Sequence, residues 1–505
     1  MALPHHKRPH RSGKGLFTGT VWALLPLRIL MDQAPVTLNP RMALDASGQR
    51  INALVFRGLT RIDANLNPQP DLASGWETRD SGRIWEFRVR PGLKDHSGQP
   101  ITPQKIAACL ESYHHGKPFS PLSAAFPFWV STESTEKSVI LKLKNPDPYL
   151  ARNISLLRYF TTAGEKEPCL NPKPEQAVIG SGNFKPLVWN PAPEGEMTLV
   201  SVEPSLGLRP LRLLFVEDDN MKALKLLHGE VDAIQSAISL TKTHWIQQTQ
   251  SDHFTVLTRE GVGVSYLAFN LRDPILAKKN VRIAIAEAID REGIARDKFF
   301  GFASVAGGLL SPLLPENYQA HYDYNPRHSE KLLDEAGFSR GPDGIRLHLH
   351  YKTTPVREGV ENALIFQDQL KKIGIDLIID VVEPAVFFAS IRKGACQLYS
   401  SRWLGVADGS ILYRTLRTAQ LSNRGQYHNP EVDRLLDQAI VELDLSKRAA
   451  LLRKAQEIAS KDLPFFPLWY WKNALILRKG IDGITADQLS LSGALEPLTH
   501  LTELK

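Results

Sequence analysis

Residues 264–300 read VSYLAFNLRDPILAKKNVRIAIAEAIDREGIARDKFF. The opening VSYLAF is short, apolar and aromatic, and it ends in the turn-forming NLRDP, so it predicts a strand. From Lys278 onward apolar residues recur at three- and four-residue spacing (Val281, Ala284, Ile285, Ala288), which predicts one amphipathic helix continuing to Phe300. A strand that runs into a helix is the unit of an α/β lobe, and the question is whether the unit repeats.

It repeats in both directions. Toward the C-terminus lie the strands RLHLHYK (346–352), DLIIDVV (376–382) and QLYSSRWLG (397–405). Between and after them come helices at 326–338, 357–374, 429–443 and from Ser446 to Lys461. Toward the N-terminus, MKALKLLHGEVDAI (221–234) is a helix that stops at Gly229 and resumes as a strand. SVILKLKNP (138–146) and IWEFRVRPGL (84–93) alternate as half-buried strands, and residues 51–62 end a helix that turns at Gly58 into a strand. In ITPQKIAACLESY (101–113) Thr102 is placed as N-cap and Pro103 as first-turn proline. LRILMD (27–32) reads as a strand leading into the proline-punctuated QAPVTLNP. No repeat of fixed period and no low-complexity tract interrupts this order.

A chain of 505 residues exceeds what one core supports, so two or three lobes are expected. Hydrophobic residues at 43% and charged residues at 23% are those of a folded soluble protein. Much of the net charge of +7 comes from Lys7, Arg8, Arg11 and Lys14, ahead of the first acid, Asp32. The later cations are scattered among acids and form no basic stripe, which argues against nucleic-acid binding. The basic first fifteen residues are followed by LFTGTVWALLP (16–26), the order of an export signal, with no clean small-x-small cleavage site and no cysteine for a lipid anchor. Cleavage, retention as a tether and a misassigned start are all compatible with it. The apolar run is too short to span a bilayer before Arg28.

Cys109, Cys169 and Cys396 are far apart and form no CxxC pair, so neither a zinc site nor a disulfide framework is expected, and Cys109 is read as a small buried hydrophobe. The chain lacks a phosphate-binding GxxxxGK, a GxGxxG, a GxSxG elbow and an HExxH helix. No catalytic residue, metal ligand or cofactor is therefore nominated. His114–His115 is read as a solvated helix end, and Glu217–Asp218–Asp219 as the cap of the following helix rather than a cation site.

Several long segments, in order, resemble the extracellular solute-binding protein family 5, the substrate-binding proteins of oligopeptide, dipeptide and nickel ABC importers. They are LRILMDQAPVTLNPR (27–41), VFRGLTRIDANLNPQPDLASGWE (55–77), IWEFRVRPGLKDHSGQPITPQKI (84–106), GSGNFKPLVW (180–189), 266–294, YNPRHSEKLLDEAGF (324–338) and 427–471. The resemblance implies a periplasmic-binding-protein-like α/β fold (class II type, cluster C), with two lobes on a hinge and an inserted extra domain. It implies a leader over 1–26, lobe I over 27–48, 172–258 and 482–505, domain II over 49–171 and lobe III over 259–481. It also implies a non-enzymatic, monomeric, periplasmic or extracytoplasmic protein that closes on a peptide or other small solute and serves a membrane permease.

The same resemblance nominates ligand contacts. Trp403, at a strand end, is a cleft aromatic or a core tryptophan. In peptide-binding relatives an acid shortly after this Trp takes the ligand's ammonium; here Val406 holds the nearest matching position and Asp408 is the acid at hand, with a turn role beside Gly409 as the alternative. Arg402 suits a carboxylate or phosphate, but as the neighbour of Trp403 on a strand it points to the opposite face. Val36, Thr37 and Tyr427 complete the set. Two other classes stand beside the receptor: a ligand-sensing transcriptional regulator built on the same lobes, which needs an N-terminal winged helix, and a secreted hydrolase, for which no nucleophile and base are in evidence.

Overall fold

Two long antiparallel strands, Phe254–Phe269 and Phe465–Arg478, run side by side in the computed structural model and carry one sheet from lobe to lobe. The structure describes residues 25–117, 119–163, 168–169, 178–192, 194–491 and 493–503, so the leader expected over 1–26 lies almost wholly outside it. The second strand, FFPLWYWKNALILR, is apolar nearly throughout because most of it is covered on both faces. Their pairing shifts register between Glu260 and Val264 and again between Ser265 and Tyr266. Gly261 lies at the first shift, where a Cβ would stand 2.6 Å from the Trp471 carbonyl oxygen, so the backbones meet only because the residue has no side chain.

Among the described residues, eleven strands form this sheet. On one side of the crossing pair lie Ala233–Gln235, Leu27–Met31, Leu211–Phe215, Glu196–Ser201 and Phe184–Trp189, in that spatial order. On the other lie Leu398–Trp403, Leu347–Thr353 and Ile375–Val381, and Ala303–Val305 pairs with Trp469–Trp471. Leu27–Met31 is parallel to both Leu211–Phe215 and Ala233–Gln235, and the last is antiparallel to Phe465–Arg478. Those three strands therefore end pointing at lobe III. Leu398–Trp403 is antiparallel to Phe254–Phe269 and parallel to Leu347–Thr353, which is parallel to Ile375–Val381, so these three end pointing back at lobe I. The carboxyl ends of two parallel strand sets thus face one another across the crossing pair, and that is where open α/β sheets bind ligands.

The inserted region holds a four-stranded antiparallel sheet, in the order Ala73–Arg79, Ile84–Val89, Ser138–Leu143, Trp129–Ser134, against the helix Pro103–His115. Thr102 caps that helix by accepting from the Lys105 N–H at 3.3 Å. Lobe I and the inserted region share a continuous apolar core, from Leu27 and Leu213 through Phe56 to Phe87 and Leu141; beyond the crossing strands two further cores lie on the two faces of the sheet, and Leu66 and Leu491 pack into the one that holds Tyr266 and Phe465.

Three local expectations need correction. Cys109 and Cys169 form a disulfide, Cα to Cα 4.9 Å, across 60 residues of chain; Cys109 is buried as expected, but its partner arrives by tertiary folding that spacing does not encode. The helix expected to run unbroken to Phe300 is two helices, Lys279–Glu287 and Arg291–Asp297, because Asp290 caps the second by accepting from the Gly293 N–H at 2.8 Å. His114 is not a solvated end residue: its ring lies on Trp129, centroids 5.2 Å apart and planes within 8°, while His115 is exposed. The acidic triplet caps as expected, with Asp218 accepting from the Met221 N–H.

Candidate functional site

The crevice between the facing strand ends is the candidate site. Trp403 is the last residue of its strand and is half-buried, its ring 4.7 Å from Tyr266 and 6.3 Å from Phe465. Arg402 points to the other face, as strand geometry requires, and its guanidinium lies 4.2 Å above the ring of Trp471. The Trp471 indole N–H donates to Ser265 Oγ at 2.8 Å, which holds the stacking surface in place. Arg402 keeps accessible surface, yet the protein crowding it lowers its pKa to about 10.

Val36 and Thr37 lie in the loop that leaves the carboxyl end of Leu27–Met31. Val36 is 83% exposed, and Thr37 Oγ1 accepts from the Asn39 N–H at 3.0 Å. From the same wall comes a residue that the sequence reading missed, Arg50 on the helix Ala46–Val55. It donates through Nη2 to Gln235 Oε1 (2.9 Å) at the end of a facing strand, its Nε is buried without a partner, and burial lowers its pKa to about 10.

Two nominated residues are placed elsewhere. Tyr427 is buried in a lobe III core and its hydroxyl donates to Asp462 Oδ2 at 2.6 Å, so it anchors the end of a helix and does not line the crevice. Asp408 is buried and already engaged: Oδ2 stands 3.4 Å from Arg152 Nη1 of the inserted region, and Oδ1 accepts from the Ser410 N–H at 2.9 Å, which is the turn role. Arg152 also donates to the Ala407 carbonyl oxygen. Val406 is packed in the same core as Tyr427. Around Asp408 gather Asp147, Tyr149, Glu316 and Arg448, so the contact between the inserted region and lobe III is a buried polar cluster; burial raises the pKa of Asp147 to about 6 and also that of Glu316. Its members are up to about 300 positions apart, and no local pattern announces them.

A cavity of about 800 Å³ also opens between the lobes, lined by His244 of the helix Leu240–Thr249 and by Glu292, Arg296, Phe300 and Ser304. Among the described residues no group of three or more His, Cys, Asp or Glu side chains is disposed to hold a metal ion.

The model for "Bacterial extracellular solute-binding proteins, family 5 Middle" matches residues 67–420. The chain belongs to this family. It is 24% identical to the oligopeptide-binding protein OppA of Bacillus subtilis over 91% of this chain and 90% of that one. It is 24% identical to the glutathione-binding protein GsiB of Salmonella paratyphi A over 86% of each. Among solved structures, NikA from Brucella suis in complex with Fe(III)-EDTA superposes with a TM-score of 0.83 at 20% identity, covering 95% of this chain and 99% of that one. The two-lobe α/β fold of the periplasmic binding proteins is thereby shown, and this family 5 protein is a solute-binding protein and not an enzyme. Family 5 binding proteins are extracytoplasmic or periplasmic; among the described residues no helix is long and apolar enough to cross a membrane.

Proposed function

We propose that the chain is the periplasmic or extracytoplasmic receptor of a bacterial ABC importer, which encloses a peptide or other small polar solute between lobes I and III and presents the closed form to a membrane permease. The observation that carries this reading is the opposition of two parallel strand sets, carboxyl end to carboxyl end, across a hinge of two strands. Contact with solute stabilises the closed arrangement, and the permease needs only to distinguish closed from open. The names of the relatives, which specify an oligopeptide, glutathione and an iron chelate, support a small polar solute as the class.

On this reading lobe I comprises 27–48, 172–258 and 482–505, domain II 49–171 and lobe III 259–481, and the receptor acts as a monomer. The apolar core common to lobe I and domain II supports their moving as one body against lobe III. Trp403 supplies an aromatic wall, Arg402 a charged one, and Val36 and Thr37 the opposing backbone. The Cys109–Cys169 disulfide supports an oxidising compartment.

Native mass spectrometry of protein purified without refolding tests the proposal. A single small molecule bound per chain and lost on unfolding is the expected result. A bare chain whose melting temperature responds to no peptide, chelate or sugar contradicts it.

A further inference from the structure

The charges at the crevice are unevenly satisfied. Two carboxylates near it have a protein cation: Asp408 has Arg152 at 3.4 Å, and Asp32 has Lys222 at 2.7 Å. The arginines have no such answer. Arg402 lies on Trp471, and the charge facing it is that of Glu358, which is neither hydrogen-bonded nor ion-paired to it. Arg50 donates to the neutral Gln235, its Nε is buried without a partner, and the charge acting on it is that of Asp32, which Lys222 already holds. A guanidinium crowded by protein and left without a carboxylate is costly to keep, and its planar fork matches an oxyanion in two parallel hydrogen bonds. Stacking on Trp471 holds that fork in one plane, and among the described residues its N–H groups meet no protein acceptor.

We propose that the cleft takes its solute by an anionic group, a carboxylate or a phosphate, gripped by Arg402 of lobe III with Arg50 as the cation of the facing wall. This rests on the receptor reading above and narrows it: the solute is an anion or carries a free anionic end, and a free ammonium group is not what selects it, since Asp408 is held by Arg152. Closure onto an anion also removes the imbalance of charge, so the ligand itself completes the electrostatics of the closed state.

The test is calorimetric titration of the full chain with four probes: citrate, inorganic phosphate, an N-acetylated tripeptide of glutamate, and a tripeptide amide with a free amino terminus. In parallel the charge of any solute released from the purified protein by denaturation is assigned. Binding confined to citrate, phosphate or the acidic peptide, and an anionic released solute, are expected; which probe binds separates carboxylate from phosphate. Arg402→Gln then weakens the bound probe about 10- to 100-fold, Arg402→Lys by less, and Arg50→Gln in the same direction, with thermal unfolding midpoints unchanged. Preferential binding of the amide, a neutral or cationic released solute, or an unchanged affinity in Arg402→Gln overturns the anion assignment and leaves the receptor standing. No released solute and no binding by any probe also overturns the anion assignment, and the receptor falls with it only if metal chelates and sugars leave the melting temperature unchanged as well.

Discussion

Asp147 shows how one buried carboxyl at the contact between domain II and lobe III responds to pH. Burial and the nearby Asp408 charge hold its pKa at about 6, whereas in the unfolded chain it releases its proton near 3.8. Between those values the folded state binds the extra proton, so stability falls as pH rises through the window and the loss is complete above about pH 6. The size of the effect is at most about 3 kcal/mol. Glu316, also raised by burial, adds in the same direction. Asp147→Asn should remove most of this slope, so that urea midpoints at pH 4 and pH 7.5 converge in the variant; an unchanged difference between them would show that Asp147 is not its source. Asp232 behaves oppositely. Arg28 reaches it at 2.6 Å and Arg478 at 3.1 Å, and these partners hold its carboxyl below the usual range against the cost of burial; its stabilisation is therefore present at neutral pH and lost on acidification through the folded-state value.

At the scale of elements, the crossing strands depend on their register shift. Gly261→Ala sets a methyl 2.6 Å from the backbone oxygen of Trp471, an atom that cannot step aside, whereas at Gly263 the added methyl meets the Trp403 oxygen at 3.3 Å. We expect Gly261→Ala to cost about 1–3 kcal/mol in urea unfolding and Gly263→Ala less than half of that; equal costs would mean that the bulge is not the constraint. The disulfide staples the helix Pro103–His115 to chain 60 residues on and contributes about 4 kcal/mol in a chain-entropy account. Cys396 is buried and its thiol is raised to about 11, so native protein should not react with a thiol reagent at pH 8. Unfolded protein should show one thiol without reductant and three with it, and three without reductant would contradict the bridge.

Taken whole, the molecule was legible in its sequence to the extent that its patterns are local. Strand and helix periods, the Thr102 cap and the order of the family-like segments depend on neighbours a few residues apart, and the α/β alternation followed from them. Trp403 and Arg402 were placed correctly on opposite faces because pleating has period two. What failed was non-local. The partner of Asp408 lies 256 positions away, that of Cys109 lies 60 away, and Tyr427 turns inward to an aspartate 35 residues on. The break at Asp290 was local but ambiguous, since an apolar stripe continues across it. On the receptor reading proposed above, lobe I with domain II closes on lobe III about the two crossing strands when solute enters the crevice. Small-angle X-ray scattering of the protein stripped of solute and then saturated with the molecule identified by mass spectrometry checks this closure. A smaller radius of gyration on saturation, reversed when the solute is removed, is the predicted result; identical scattering curves with the solute demonstrably bound would contradict it.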